Sequence, residues 1–255
     1  MKKQWYIQGQ ADHTLFAKFS YDGKAVVLIV YVDDIVLTRD YTVEMARVKD
    51  KLAVDFEIKD MGFMRYFLGM EVARSKNGIL VSQQKYIIDL LKEIGMSGCR
   101  PANTPMDLNA KLWAEGNVFV DIGRYQILVG KLIYLSHTRP DIAFSVSVVS
   151  QFMHSPFEEH LEAVYRILRY LKENPVKGLL FKKTSERNVS IFTDANWAGS
   201  ITNRRSTSEY YTYVWGNLLT WRRKKQGFVA RSSVEAEFRA MYRGICEGLW
   251  ILRVL

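Results

Sequence analysis

Val26-Val27-Leu28-Ile29-Val30-Tyr31-Val32-Asp33-Asp34-Ile35-Val36-Leu37 sets two adjacent carboxylates between two apolar, β-branched runs. Valine and isoleucine favour the pleated strand, where a branched Cβ packs without crowding a helical turn. Two such runs broken by a short polar step read as a β-hairpin. The step itself is unusual. A two-residue type I′ turn needs φ > 0 at both central positions and selects Asn-Gly or Asp-Gly. Neighbouring carboxylates also repel unless a cation or solvent relieves them. Two readings are open: a solvated Asp-Asp turn, or a carboxylate pair that holds Mg²⁺, a hard cation preferring carboxylate and phosphate oxygens. Paired ions of this kind serve in-line phosphoryl transfer by stabilising the attacking and leaving oxygens.

Outward from the hairpin the pattern stays regular. Leu15 to Ser20 reads as the strand before Ala25 to Tyr31, joined through Tyr21-Asp22-Gly23-Lys24, and Ile35 to Thr38 continues as the next strand. Met45, Val48, Leu52 and Phe56 recur at helical spacing. Asp60-Met61-Gly62 breaks that helix, Tyr66 to Ala73 returns to strand, and Asn77-Gly78 signals a type I′ turn before Ile79-Leu80-Val81. Ile87, Leu90, Leu91 and Ile94 make a second helix that ends at Gly95. Residues 97–117 read as an ordered linker. Helices follow over about 121–136, 141–153 and 157–173, the last with Leu161, Val164, Leu168 and Leu171 on one face and Asn174-Pro175 as its stop. Val189 to Thr193, Ser208 to Val214 and Leu218 to Arg222 are strands, and a last helix starts near Val234 behind the capping pair Ser232-Ser233. Strands and helices in this order predict an α+β chain in two or three parts.

Composition bounds the rest. The 255 residues are 48% hydrophobic and 25% charged, which excludes a disordered tail or a fibre. Two cysteines, Cys99 and Cys246, exclude a disulfide framework. The longest apolar run, Ala25 to Val32, is far too short to span a membrane, and no apolar stretch follows Met1-Lys2-Lys3 as a secretory signal requires. The expected protein is soluble and intracellular, cytoplasmic or nuclear. Its charge is uneven: residues 182–255 hold 13 basic and 6 acidic side chains, +7 of the net +9. A basic segment points to a polyanion, with a solvated surface as the plain alternative. Trp221-Arg222-Arg223-Lys224-Lys225 reads as a nucleic-acid contact or a nuclear-localisation patch. His13, His137, His154 and His160 lack zinc-type spacing.

Tyr31-Val32-Asp33-Asp34 resembles the YVDD box of reverse transcriptases, in particular those of copia-type LTR retrotransposons. The likeness continues in order. Gln10 to Phe16 is similar to the family's lead-in to the catalytic hairpin, and Phe56 to Gly62 with Tyr66-Phe67-Leu68-Gly69-Met70-Glu71-Val72 to its primer-grip region. Val81 to Tyr86 and on to Gly95-Met96 resembles the start of the thumb, and Gly130 to Leu135 with Thr138 to Ile142 the connecting helices. Phe192-Thr193-Asp194-Ala195-Asn196-Trp197-Ala198-Gly199, Arg204 to Ser208 and Ala230 to Phe238 resemble the first strand, second strand and first helix of ribonuclease H.

The resemblance implies four segments: residues 1–76 as the C-terminal part of a polymerase palm, 77–117 as thumb start and linker, 118–184 as helical thumb or connection, and 185–255 as the N-terminal half of a ribonuclease H-like domain. It implies templated DNA synthesis and cleavage of RNA in RNA–DNA hybrids, with Mg²⁺ (or Mn²⁺) held by Asp33, Asp34, Asp194 and Glu237. Glu237 is preferred to Glu235 because Ala240, Met241 and Gly244 follow it at helical spacing on a packed face. Tyr31, Val32, Phe67, Leu68 and Gly69 are implied to meet nucleic acid. The implied partners are RNA, DNA, their hybrid and other parts of a Pol polyprotein, with no membrane. A third palm carboxylate and two further ribonuclease H acids find no match, so the expectation is a fragment cut at both ends and inactive alone. Asn196, Glu209 and Arg39 depart from the family pattern, Glu209 and Arg39 replacing glycines. The alternatives are a non-catalytic nucleic-acid-binding remnant and a decayed reading frame without function.

Overall fold

The computed structural model describes residues 6–38, 41–107, 112, 118–199 and 203–255. Met1-Lys2-Lys3, Arg39 and most of the linker after residue 107 lie outside the described residues. Helix and sheet are mixed throughout, an α+β chain. The chain forms two compact units, Met1–Met64 with Glu247–Leu255, and Arg65–Cys246.

In the first unit β1 (Ile7–Gln8), β2 (Leu15–Phe19), β3 (Ala25–Tyr31) and β4 (Asp34–Leu37) make an antiparallel sheet in chain order. Strand β3 puts Val26 and Leu28 wholly inside, as the two-residue side-chain period requires. Helix α1 (Thr42–Asp55) covers them with Val48 and Leu52, and Tyr6 completes this small core. Val48 and Leu52 lie on the expected stripe; only its ends differ. Glu44, not Met45, is buried, and Phe56 is exposed at the C-cap. Glu44 is paired where it is buried: Lys18 Nζ lies 2.7 Å from its Oε1 and the Tyr6 hydroxyl donates to it at 3.3 Å. Burial, then the Glu44 charge, push the Tyr6 phenol up to about 12.

The second unit opens with β5 (Tyr66–Phe67), β6 (Met70–Ser75) and β7 (Gly78–Ser82), to which β8 (Leu179–Lys182) adds as a fourth antiparallel strand. The sequence reading gave no strand over 179–182. Four residues without clear alternation carry no signal, and their pairing with β7 comes from nearly a hundred residues away. The same pairing explains the nearby glycines. Asn77-Gly78 does not occupy the turn. Ser75 pairs with Gly78 around Lys76 and Asn77, neither of which has positive φ. A Cβ on Gly78 would come 2.1 Å from the Phe181 carbonyl oxygen, and one on Gly178 2.1 Å from that of Val81. Close strand approach, not turn geometry, excludes a side chain at both positions.

Helices α2 (Gln84–Glu93), α3 (Ile122–Leu135), α4 (Pro140–Val149) and α5 (Glu158–Glu173) enclose the main core, built on Tyr125, Leu128, Leu132, Ile142, Ile167 and Leu168. Buried His160 is a structural residue: its Nδ1 accepts from the Phe157 N–H at 2.9 Å and its ring stacks on Phe152. Strands β9 (Val189–Asn196), β10 (Thr207–Val214) and β11 (Asn217–Lys225) form a third antiparallel sheet in the order β11-β10-β9, and α6 (Ser233–Val254) ends the chain. Among the described residues no helix is long and apolar enough to cross a membrane.

One buried ion pair anchors the helical core. Arg139 is fully buried and donates to Asp141 from Nε and Nη2, both at 2.9 Å, and to the Asn174 carbonyl from Nη1. Tyr170 donates to Asp141 at 2.8 Å and Lys177 lies 3.2 Å away. Burial alone would raise the Asp141 carboxyl; the Arg139 hydrogen bonds and charge, with Tyr170 and Lys177, outweigh it and hold it at about 2. A carboxyl held below its usual range stabilises the fold above about pH 4 and loses that contribution as pH falls towards 2. Allowing for solvent at its rim, the effect is about 1–2 kcal/mol. Asp141→Asn should cost about 3–5 kcal/mol at pH 7, because it leaves Arg139 buried and unpaired. Urea unfolding at pH 7 and pH 3 checks this: the variant should lose less stability on acidification than the parent.

Candidate functional site

Tyr31 pairs with Asp34 at the closed end of the β3–β4 hairpin, leaving Val32 and Asp33 as the two turn residues. Val32 has φ +49° and is 82% exposed. A β-branched residue in the left-handed region stores strain on the order of 1–3 kcal/mol, and nothing apolar is gained by it here. Asp33 has no positive φ, so this is not the Asn-Gly type of turn. Both carboxylates are exposed, and neither Asp33 nor Asp34 makes a hydrogen bond or ion pair among the described residues. Buried Val26 and Leu28 hold the strand that carries them. Unpaired carboxylate oxygens suit a hard cation, but two do not form a cage. Among the described residues no group of three or more His, Cys, Asp or Glu side chains could hold a metal ion.

Phe67, Leu68 and Gly69 lie at the β5–β6 turn. Phe67 pairs with Met70, and Leu68 and Gly69 take φ +48° and +73°, the type I′ form. The Leu68 carbonyl accepts a hydrogen bond from the Tyr134 hydroxyl on α3, and Tyr134 meets Tyr86 edge to face at 5.3 Å. A Cβ at Gly69 would come 3.3 Å from that hydroxyl. The turn is therefore fixed to the helical core by Tyr134, a residue the sequence reading did not single out because helical period alone makes it another half-buried aromatic.

Strand β9 and helix α6 bring Glu237 to the backbone of Ala195, one residue after Asp194, but not to the Asp194 carboxylate, which leaves the other face of the strand. The Ala195 N–H donates to Glu237 Oε1 at 3.3 Å. Gly244 lets the helix approach this closely, since a Cβ there would lie 2.5 Å from Thr193 Cγ2. Asp194 itself points to the other face of the sheet from Thr193 and Ala195, in register with Glu209. Glu235 is the capping acid: it accepts from the Arg231 N–H at 2.7 Å and pairs with Arg239, while Ser232 Oγ accepts from its own N–H. Glu209 is the third residue of a regular strand without positive φ, so a glycine is not required there.

The basic run at 221–225 is not one patch. Strand alternation divides it. Trp221, Arg223 and Lys225 turn towards the helices: the Trp221 indole donates to the Ser136 carbonyl at 3.1 Å, Arg223 pairs with Glu209 at 3.2 Å and stacks over Phe144 at 3.9 Å, and Lys225 reaches Gln151. Burial, then Arg205, pull the Lys225 ammonium below the usual lysine range. Arg222 and Lys224 face the other way, exposed and without an ion pair among the described residues. The row Asp194–Glu209–Arg223 across the three strands could have been found only with the register known.

Comparison with known proteins gives the family. Residues 1–108 match the family described as reverse transcriptase (RNA-dependent DNA polymerase). The chain is 39% identical over 252 residues to the retrovirus-related Pol polyprotein from transposon RE1 of Arabidopsis thaliana, covering 98% of this chain and 17% of that protein. It is 34% identical over 265 residues to the Pol polyprotein from transposon TNT 1-94 of Nicotiana tabacum, covering 20% of that protein. An uncharacterized mitochondrial protein of Arabidopsis thaliana is 37% identical over 223 residues, 88% of this chain and 93% of its own length. No solved structure matches the chain. The chain spans a fifth or less of the Pol polyproteins it matches, and it belongs to the reverse transcriptase family of retrotransposon Pol polyproteins.

Proposed function

We propose that the chain is the nucleic-acid-handling part of a retrotransposon polymerase, carrying a carboxylate pair of a polymerase palm and two acids of a ribonuclease H-like domain. The observation that carries this reading is the Tyr31-Val32-Asp33-Asp34 tip, where strained backbone presents two unpaired carboxylates above buried strand residues. In this reading 1–76 is palm, 77–117 thumb start and linker, 118–184 thumb or connection, and 185–255 ribonuclease H-like. Asp33 and Asp34 would hold Mg²⁺ (or Mn²⁺) at the first site, where their donor chemistry fits a hard cation that also takes substrate phosphates. Asp194 and Glu237 are the acids proposed for the second, but they lie on opposite faces of β9, so a shared ion there would require Asp194 to turn towards α6. Bound Mg²⁺ would neutralise charge on the attacking and leaving oxygens of phosphoryl transfer.

The protein's own residues do the positioning. Buried Val26 and Leu28 fix the strand beneath the tip, and Tyr134 fixes the Leu68-Gly69 turn. Glu237 is held against β9 by the Ala195 N–H. Arg222 and Lys224 meet phosphates, whereas Arg223 and Lys225 secure β11 to the helices. The lack of a third carboxylate among the described residues near either pair favours a second reading, binding of RNA–DNA hybrid without catalysis.

Primer extension and hybrid cleavage with Mg²⁺ or Mn²⁺ separate the two. The 255-residue chain should show neither, since loss of one preorganised charge-stabilising group costs about 10²–10³ in rate. Synthesis abolished by Asp33→Asn would instead establish a complete active site. Filter binding to an RNA–DNA hybrid across salt concentrations tests the interface. Arg222→Ala with Lys224→Ala should flatten the slope of log K against log salt by about 1–2, with stability within about 0.5 kcal/mol of the parent. Arg223→Ala should do the reverse, losing about 1–2 kcal/mol of stability through its buried pair and its stacking on Phe144.

A further inference from the structure

Five cations from distant parts of the chain line one cleft inside the Arg65–Cys246 unit. Arg74 and Lys76 come from the β6–β7 hairpin, Lys182 and Lys183 from the end of β8, and Arg187 from the segment before β9. Among the described residues no Asp or Glu lines this cleft, whose volume is about 590 Å³. All five side chains are exposed, and none makes an ion pair among the described residues. Elsewhere the chain does pair its cations, as Lys131 with Glu93 and Arg223 with Glu209. Five like charges facing one concavity repel one another, and a polyanion relieves that repulsion.

The lining also includes the apolar side chains of Ile79, Phe181, Leu219 and Trp215, the last 42% exposed. Arg187 lies 5.0 Å over one face of the Trp215 ring and is steadied by the carbonyls of Thr184 and Glu186. The walls are tied together. The Asn217 side chain accepts from the Lys182 N–H at 2.6 Å and donates to the Lys182 carbonyl at 3.0 Å. Thr184 Oγ1 donates to the Trp215 carbonyl, and the Trp215 N–H to the Asn188 carbonyl. Trp215 and Gly216 take φ +51° and +72° in a tight turn, and Trp215 is part of the cleft lining. The cleft is thus a fixed feature, with a volume in the range of small-ligand sites.

We infer that this cleft binds single-stranded nucleic acid, its phosphates taken by Arg74, Lys76, Lys182, Lys183 and Arg187 and a base placed on the apolar side by Trp215. A basic groove beside an aromatic ring is what an unpaired strand needs, and a cleft of this volume is too small to enclose a duplex. The inference rests on the nucleic-acid reading above but assigns a different surface from Arg222 and Lys224.

The test is fluorescence anisotropy of a labelled twelve-nucleotide oligo(dT) against the full chain at several salt concentrations. The parent should bind with a slope of log K against log salt near about −3, as expected when four or five phosphates of a single strand are neutralised. Lys182→Glu with Lys183→Glu should weaken binding more than about tenfold and flatten the slope, and Trp215→Ala should weaken it about tenfold with the slope unchanged. Lys51→Ala, an exposed position on α1 outside the cleft, should change it less than about twofold. Photocrosslinking of a 5-iodouridine strand to the parent should label the peptide containing Trp215. If the charge-reversed chain keeps its circular dichroism and binds oligo(dT) like the parent, or if the crosslink maps elsewhere, the cleft assignment fails. Continued binding of hybrid in that case would leave the nucleic-acid reading standing; a parent chain that binds neither ligand would overturn both.

Discussion

A β-strand sends successive side chains to opposite faces, and this two-residue period governs every candidate site in the chain. In β3 it buries Val26 and Leu28 and leaves the hairpin tip to carry Asp33 and Asp34 outward. In β9 it sends Thr193 and Ala195 towards α6 and Asp194 away from it. In β11 it splits a run of four basic residues into two that hold the fold and two that face solvent. A slip of one residue in any of these registers would exchange core for surface and dissolve the site it supports. The buried positions at the centre of each strand therefore determine where the charged positions point.

Polar groups that lie inside are paired, and their pairing sets local geometry as firmly as apolar packing does. Glu44, buried on α1, is met by Lys18 and the Tyr6 hydroxyl. Arg139 and Asp141 link the start of α4 to the end of α5 through Asn174 and Tyr170. Asn217 joins β11 to β8 with two backbone hydrogen bonds. Each leaves a costly unsatisfied group if one partner is removed. The hairpin carboxylates stand in contrast: they are left unpaired where the backbone is also strained, the combination expected at a functional site rather than in a structural turn.

Much of this was legible in the sequence. The hairpin, the helix stop at Gly95, the capping role of Ser232 and the helical faces of α2 and α5 follow from local period and turn chemistry, and the structure has them. The misses share a cause. Strand β8 pairs with β7 across most of the helical core, Gly78 and Gly178 answer to that pairing, and Glu209 meets Arg223 only through sheet register. Long-range approach of this kind has no local signature. The contiguous look of Trp221 to Lys225 misled for a related reason: adjacency in sequence is opposition across a strand. The family resemblance, by contrast, rested on motif order, and the comparisons bear it out.

The proposed chemistry depends on divalent-cation binding at the Asp33-Asp34 tip. Paramagnetic broadening of backbone amide resonances by Mn²⁺, with a primer–template duplex present, addresses it residue by residue. The account predicts selective broadening at Tyr31 to Ile35, displaced by excess Mg²⁺ and lost in Asp33→Asn with Asp34→Asn. Broadening that spares this hairpin, or that persists unchanged in the double variant, would contradict it.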